Sequence, residues 1–190
     1  MRVLRNIFSQ LHEYVLWLLL STVLWGWIFA SFVTDTKAEK KVVIYIDAVQ
    51  CSDTELAAAL EERMPEGLRM IQVHPFSYAM FDTDALLDAD LYIVPGSRAG
   101  EYRDSFAPLS DLLPELDGPY WEHEGVPYGL LLCDAADGRY FSCVGPEEPK
   151  EDCYLFFGVN GLHAASLTGT GDDAAIEVYR ALYDLLEVRP

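Results

Sequence analysis

Lys41-Val42-Val43-Ile44-Tyr45-Ile46-Asp47-Ala48 is an apolar, β-branched run as long as one strand. A run without polar alternation suits a strand covered on both faces, as in a parallel sheet. Ser52 or Asp53 can then cap a helix through about Met64, which places Leu56, Ala59, Leu60 and Arg63 on related faces, with Pro65 and Gly67 stopping it. Leu68 to His74 reads as a second strand, Asp82 to Leu87 as a short helix and Ala89 to Val94 as a third strand. Strand, helix, strand, repeated, is the βαβ pattern, which demands a parallel sheet with helices on its faces. The expected fold class is therefore α/β, a mainly parallel sheet with flanking helices, in one domain over residues 42–190.

Beyond the third strand, Gly96 to Gly125 is rich in Pro, Gly and acidic residues and reads mostly as connection, with helical pieces near Glu101 to Phe106 and Ser110 to Leu113. Val126 to Cys133 and Arg139 to Val144 read as strands joined by a turn at Asp137-Gly138. Tyr154 to Val159 is a further strand. Thr170 to Val188 is an amphipathic helix, with Asp172 or Asp173 near its positive N-terminal end and Ala175, Val178, Leu182 and Leu185 available for the sheet.

Upstream, Tyr14 to Val33 is free of charge and rich in Leu, Val, Trp and Phe. About 20 such residues cross a hydrocarbon core as a helix. Tyr14, Trp17, Trp25, Trp27, Phe29 and Phe32 add aromatics, several near the ends, where such rings favour the headgroup region. The expectation is a single-pass cell-membrane protein: a short cytoplasmic segment 1–13, an uncleaved signal anchor 14–33, a linker 34–41 and an extracytoplasmic domain. Arg2 and Arg5 before the span against Lys37, Lys40 and Lys41 after it leave orientation open on charge alone.

From Val42 onward there are eight Lys or Arg and 28 Asp or Glu, a formal charge of −20. Such a field repels nucleic acid and anionic headgroups, which argues against a DNA or RNA partner. The carboxylates do not fall into a calcium-loop pattern, and no CxxC or HxxxH spacing offers a zinc site, so no metal or cofactor is expected. The four cysteines lie at 51, 133, 143 and 153. In an exported domain an even number favours disulfides, and the polar loop between Cys143 and Cys153 makes that pair the candidate bridge; reduced, buried thiols are the alternative.

Several segments resemble those of the extracellular solute-binding proteins that serve ABC transporters. Ala89-Asp90-Leu91-Tyr92-Ile93-Val94-Pro95 resembles a strand of their first lobe, Phe106-Ala107-Pro108-Leu109-Ser110-Asp111-Leu112-Leu113 the segment after it, and Gly125-Val126-Pro127-Tyr128-Gly129 the strand entering the hinge. Tyr154-Leu155-Phe156-Phe157-Gly158-Val159-Asn160 followed by Asp173-Ala174-Ala175-Ile176 resembles the return to that lobe. The family has two lobes closing on a ligand, whereas Tyr128 to Tyr154 here leaves room for only a hairpin. The resemblance thus implies a single periplasmic-binding-protein-like lobe.

In open parallel sheets, ligands sit outside the carboxyl ends of the strands. That rule selects Gln50, Cys51 and Ser52 after the first strand, Phe76 and Tyr78 after the second, and Ser97 and Arg98 after the third, with Tyr120 and Trp121 as a stacking face in the following connection. Arg98 can pair with a ligand carboxylate or simply with an internal one. The partners expected are a weakly held small solute, an envelope or transporter protein, or a second copy of the chain. A rival reading is a thioredoxin-like thiol-disulfide enzyme using Cys51 at a helix start, although Cys51-Ser52-Asp53-Thr54 lacks the second cysteine and Asp53 raises the thiol pKa. A third is a structural accessory subunit of a membrane complex. No nucleophile, base and orienting group can be assembled from the remaining residues, including Trp121-Glu122-His123-Glu124 and Ser166 to Gly171, so a non-enzymatic role is expected.

Overall fold

The computed structural model describes residues 2–34, 36–47, 53–76, 86–109, 116, 118–136, 139–141, 151–169 and 171–188. The chain divides into two compact units, one up to Lys37 and one from Ala38. The first is a single helix, α1 (Arg2–Thr34). Its described side chains, 13–29, include Tyr14, Trp17, Trp25, Trp27 and Phe29, all standing exposed. The two hydroxyls in this stretch turn back on the helix, Ser21 and Thr22 both donating to the Leu18 carbonyl at 2.9 and 2.7 Å. Among the described residues no helix is long and apolar enough to cross a membrane. The expected span, 14–33, continues past Phe29, the last of its residues whose side chain is described.

The second unit is an α/β domain. In chain order it contains β1 (Lys41–Ile46), α2 (Asp53–Glu61), β2 (Met70–Pro75), β3 (Leu91–Pro95), β4 (Tyr120–His123), β5 (Val126–Cys133), β6 (Arg139–Phe141), β7 (Cys153–Phe157), α3 (Ala165–Thr168), α4 (Ala174–Asp184) and β8 (Leu186–Val188). A 3-10 turn spans Ala99–Ser105, on the stretch read as helical near Glu101. Six strands form one sheet in the order β2-β1-β3-β7-β5-β4. The pairings of β1 with β2 and with β3 are parallel, as the βαβ pattern requires, but β3 with β7, β7 with β5 and β5 with β4 are antiparallel. The sheet is therefore mixed rather than mainly parallel. A parallel neighbour needs a crossover of a dozen or more residues, usually helical, before it; the residues between β4 and β5 are only two, and α4 follows β7 instead of preceding it.

Three further expectations are corrected. Tyr120–His123, read as connection, is an edge strand, joined to β5 through Glu124 (φ 52°) and Gly125 (φ 79°), two successive positive φ angles as a two-residue hairpin turn of matching twist needs. A Cβ at Gly125 would meet nothing within 4 Å, so Gly125→Ala isolates the backbone cost: an expected loss of about 1 kcal/mol in chemical unfolding. β6 does not pair back onto β5; it joins β8 in a separate two-stranded sheet, and the proposed turn at 137–138 lies outside the described residues. The last helix ends at Asp184, so its final expected turn is β8. Asp82 to Asp84 and Ser110 to Leu113 also lie outside the described residues.

The two faces of the sheet have different chemistry. On one, aliphatic side chains of β1, β3, β5 and β7 (Val42, Ile44, Leu91, Ile93, Leu130, Leu155) pack against Leu56 and Leu60 of α2 and Ala175, Val178 and Leu182 of α4. On the other, Tyr45, Tyr92, Phe106, Tyr128 and Phe156 form an aromatic layer, with Phe106 stacked on Phe156 at 4.0 Å. Gly158, just past β7, lies so close to the Ala89 carbonyl oxygen that a Cβ there would overlap it.

Candidate functional site

The chain leaves β1 toward β2 on one side and enters β3 on the other, so strand connections diverge between β1 and β3. Such a switch point opens a crevice outside the carboxyl ends of the two strands. Asp47 follows β1 there, its N–H donating to the Ile93 carbonyl at 2.9 Å. After β3 the chain turns sharply: the Gly96 N–H donates to the Asp152 carbonyl and the Arg98 N–H to the Pro95 carbonyl, both at 3.0 Å. This turn sends the Arg98 side chain back across the crevice.

One guanidinium nitrogen of Arg98, Nη1, lies 2.7 Å from Asp47 Oδ1 and 2.6 Å from Oδ2. The other, Nη2, lies 2.6 Å from the Tyr102 hydroxyl and 3.5 Å from Glu101 Oε2. Beside it the Ser97 hydroxyl donates to Glu151 at 2.5 Å. Arg98 is 44 % exposed and Asp47 only 14 %. Burial pushes the Asp47 carboxyl up from its ordinary value; Arg98 pulls it down, while Glu101 and Glu151 add to the rise. The crevice is thus an ion pair with a largely shielded anionic half and a partly exposed cationic half, with the carboxylates of Glu101 and Glu151 nearby.

Ser97 and Arg98 are where the strand-end rule puts them, and Arg98 is paired internally. Gln50, Cys51, Ser52 and Tyr78 lie outside the described residues. Trp121 is not brought to the crevice: it sits on edge strand β4, three strand spacings or roughly 14 Å from β3. There it packs edge-on against Phe156 and Tyr128 and stacks with His123, ring centroids 5.9 Å apart. Phe76 likewise belongs to the aromatic layer, 4.7 Å from the Tyr102 ring. Asp47 was missed as a site residue because it reads as the end of the β1 run.

Cys153 carries a free thiol, and Cys143, its expected bridge partner, falls in the stretch 142–150, outside the described residues. The strand before Cys143, β6, belongs to the other sheet. Cys153 faces Cys133 across β7 and β5. Among the described residues no group of three His, Cys, Asp or Glu is placed to hold a metal ion.

A second polar cluster lies at the opposite end of the sheet. His163, 1 % exposed, places Nδ1 2.6 Å from Asp172 and Nε2 3.0 Å from the Ala38 carbonyl oxygen. Buried Asp90 accepts from the Val43, Leu162 and His163 backbone N–H groups at 2.9, 3.0 and 3.3 Å. These residues tie the domain's first residues to β3 and to the turn after β7.

No family model and no curated protein matches the chain. A solved structure, the N-glycan transport solute binding protein NgtS from Streptococcus pneumoniae in complex with Man1GlcNAc, is similar in part: 18 % identical, over 50 % of this chain and 25 % of that one, with a TM-score of 0.30. The match thus spans a quarter of the length of that protein.

Proposed function

We infer that the protein is a non-enzymatic, membrane-anchored recognition module whose extracytoplasmic domain engages a protein partner through a cationic group received at Asp47. The observation that carries this reading is the Asp47–Arg98 ion pair across the β1/β3 crevice. Arg98, 44 % exposed, can swing into water by giving up its bonds to Asp47 and Tyr102; Asp47, at a strand end and only 14 % exposed, then needs a replacement cation, which an incoming basic group supplies. The acidic field of the domain steers such a partner toward it. Glu101, 61 % exposed, stands beside the pair, so among the described residues the site is open to solvent on that side. Affinity at such a site comes from an extended surface rather than from enclosure.

Anchoring is supported by the exposed apolar side chains of α1 and by the inward-turned hydroxyls of Ser21 and Thr22, which present no free polar hydrogen to lipid. The full-length chain is expected to stay with membranes after alkaline carbonate extraction, and the variant Leu19→Arg/Leu20→Arg to be released. Retention of both, or release of both, refutes the anchor.

Recognition is tested by thermal unfolding of the full-length chain against basic, acidic and neutral peptides and neutral sugars. Basic peptides are expected to give a saturable rise in Tm that fades at high salt and is lost in Asp47→Asn. Stabilisation by sugars alone, or stabilisation by basic peptides that survives in Asp47→Asn, overturns the reading.

A further inference from the structure

The geometry points to Cys133 and Cys153 as an oxidisable pair that closes to a cross-strand disulfide. Leu131 of β5 pairs with Tyr154 of β7, so a regular ladder would set Leu132 opposite Cys153. A one-residue irregularity after Leu131 instead sets Cys133 there. It also turns Cys133 onto the aliphatic face, where strict alternation from Leu131 would turn it away, and both cysteines pack against that core. Directly opposed antiparallel residues have Cα atoms about 4.5–5.5 Å apart, inside the about 4.4–6.8 Å that a disulfide spans.

The two thiols also differ in the way a two-step exchange needs. Cys133 is buried and Cys153 only partly so. The Cys153 thiol donates to the Glu151 carbonyl at 3.9 Å. Its hydrogen bond with the Cys133 thiol holds its pKa below the ordinary value, against burial and the carboxylates of Glu151, Asp152 and Asp47. Cys153, the less buried of the two, is the thiol an external disulfide can reach, and so the attacking group. As thiolate it displaces one half of a low-molecular-weight disulfide such as oxidised glutathione, forming a mixed disulfide and releasing one glutathione. The Cys133 thiolate then attacks the Cys153 sulfur and expels the second glutathione. The two protein protons pass to the two released thiolates; the protein loses two electrons and glutathione disulfide gains them.

The bond would close a loop over residues 134–152, which carries β6, the partner of β8. It would also fix the start of β7, where Glu151 and Asp152 hold Ser97 and Gly96 at the crevice. This inference is independent of the partner reading above.

The test is to equilibrate the full-length chain with oxidised and reduced glutathione, block free thiols, digest without reduction and map the linked peptides by mass spectrometry. The same is done for Cys51→Ser/Cys143→Ser, which keeps only this pair. A Cys133–Cys153 peptide is expected in both proteins, with a rise in Tm of roughly 5 °C or more that dithiothreitol reverses. A Cys143–Cys153 link in the unsubstituted chain, or a lasting glutathione adduct on Cys153 with Cys133 unmodified, overturns the inference. Because the unsubstituted chain is read directly, a folding defect in the variant does not blur the outcome.

Discussion

Asp90→Ala is expected to lower the free energy of unfolding by about 3–5 kcal/mol. The carboxylate is buried and accepts three backbone N–H groups from two separate parts of the chain, Val43 in β1 and Leu162 and His163 after β7. Removing it leaves each of those donors without its acceptor, and an unsatisfied buried donor costs about 1–3 kcal/mol. Water entering the vacated space recovers part of the sum. Burial pushes the Asp90 carboxyl up, against the three donors and His163, which pull it down. The group is therefore kept for what it ties together, since its own desolvation works against stability. Asp90→Asn should fall in between, because an amide oxygen can still serve two donors while its NH2 opposes the third. Asp88→Ala, two residues away and exposed, should change stability by no more than about 0.5 kcal/mol. Chemical unfolding of the three variants decides the matter; an Asp90→Ala loss below about 1 kcal/mol would mean that the donors find other partners.

The same carboxylate shows why some of the architecture is legible in the sequence and some is not. β1, α2, β2, β3 and β5 fall within a few residues of where apolar runs and stop signals place them, because each carries its signal locally. β4 does not: Tyr120-Trp121-Glu122-His123 is short and half polar, as an edge strand is, and only the Glu124-Gly125 pair after it marks a hairpin. The direction of β7 is set by its neighbours in space, so a strand correctly placed by composition was assigned to the wrong kind of sheet. Side-chain partnerships across long separations are invisible in the same way. Asp90 meets Val43 47 residues away and Leu162 72 residues away. Cys133 meets Cys153 only because one residue is added to a ladder. Ser97 and Arg98 were accessible because the strand-end rule needs only the end of β3, whereas Trp121 depended on the path of a connection that proved to be a strand on the far edge.

Stability of the domain should fall as pH rises from about 6, and His163→Gln should remove most of that slope. Both ring nitrogens of His163 face acceptors, Asp172 at one and the Ala38 carbonyl at the other, so the imidazolium satisfies both while a neutral ring leaves one acceptor facing a lone pair. Burial pulls the His163 pKa down, but the bonds to Asp172 and Ala38 and the nearby Asp90 raise it above its ordinary value. A group whose pKa is raised on folding stabilises fully below its unfolded value, about 6.5, and that contribution is lost as pH climbs through the folded value. Asp90, also raised, acts in the same direction, from the ordinary carboxylate range upward, and Asp90→Asn followed in parallel separates its share from that of His163. Asp172 is 59 % exposed, so solvent screens its share, and the part-buried bond to the Ala38 carbonyl adds to it. A hydrogen bond from a charged donor contributes about 1.5–3 kcal/mol, which sets the expected loss in His163→Gln at pH 6. As pH climbs through the folded value the variant and the unsubstituted chain should converge. Equal slopes in the two proteins would place the titration elsewhere. Convergence would identify His163 as the proton-dependent clasp between the entry to β1 and the loop that leads into α4.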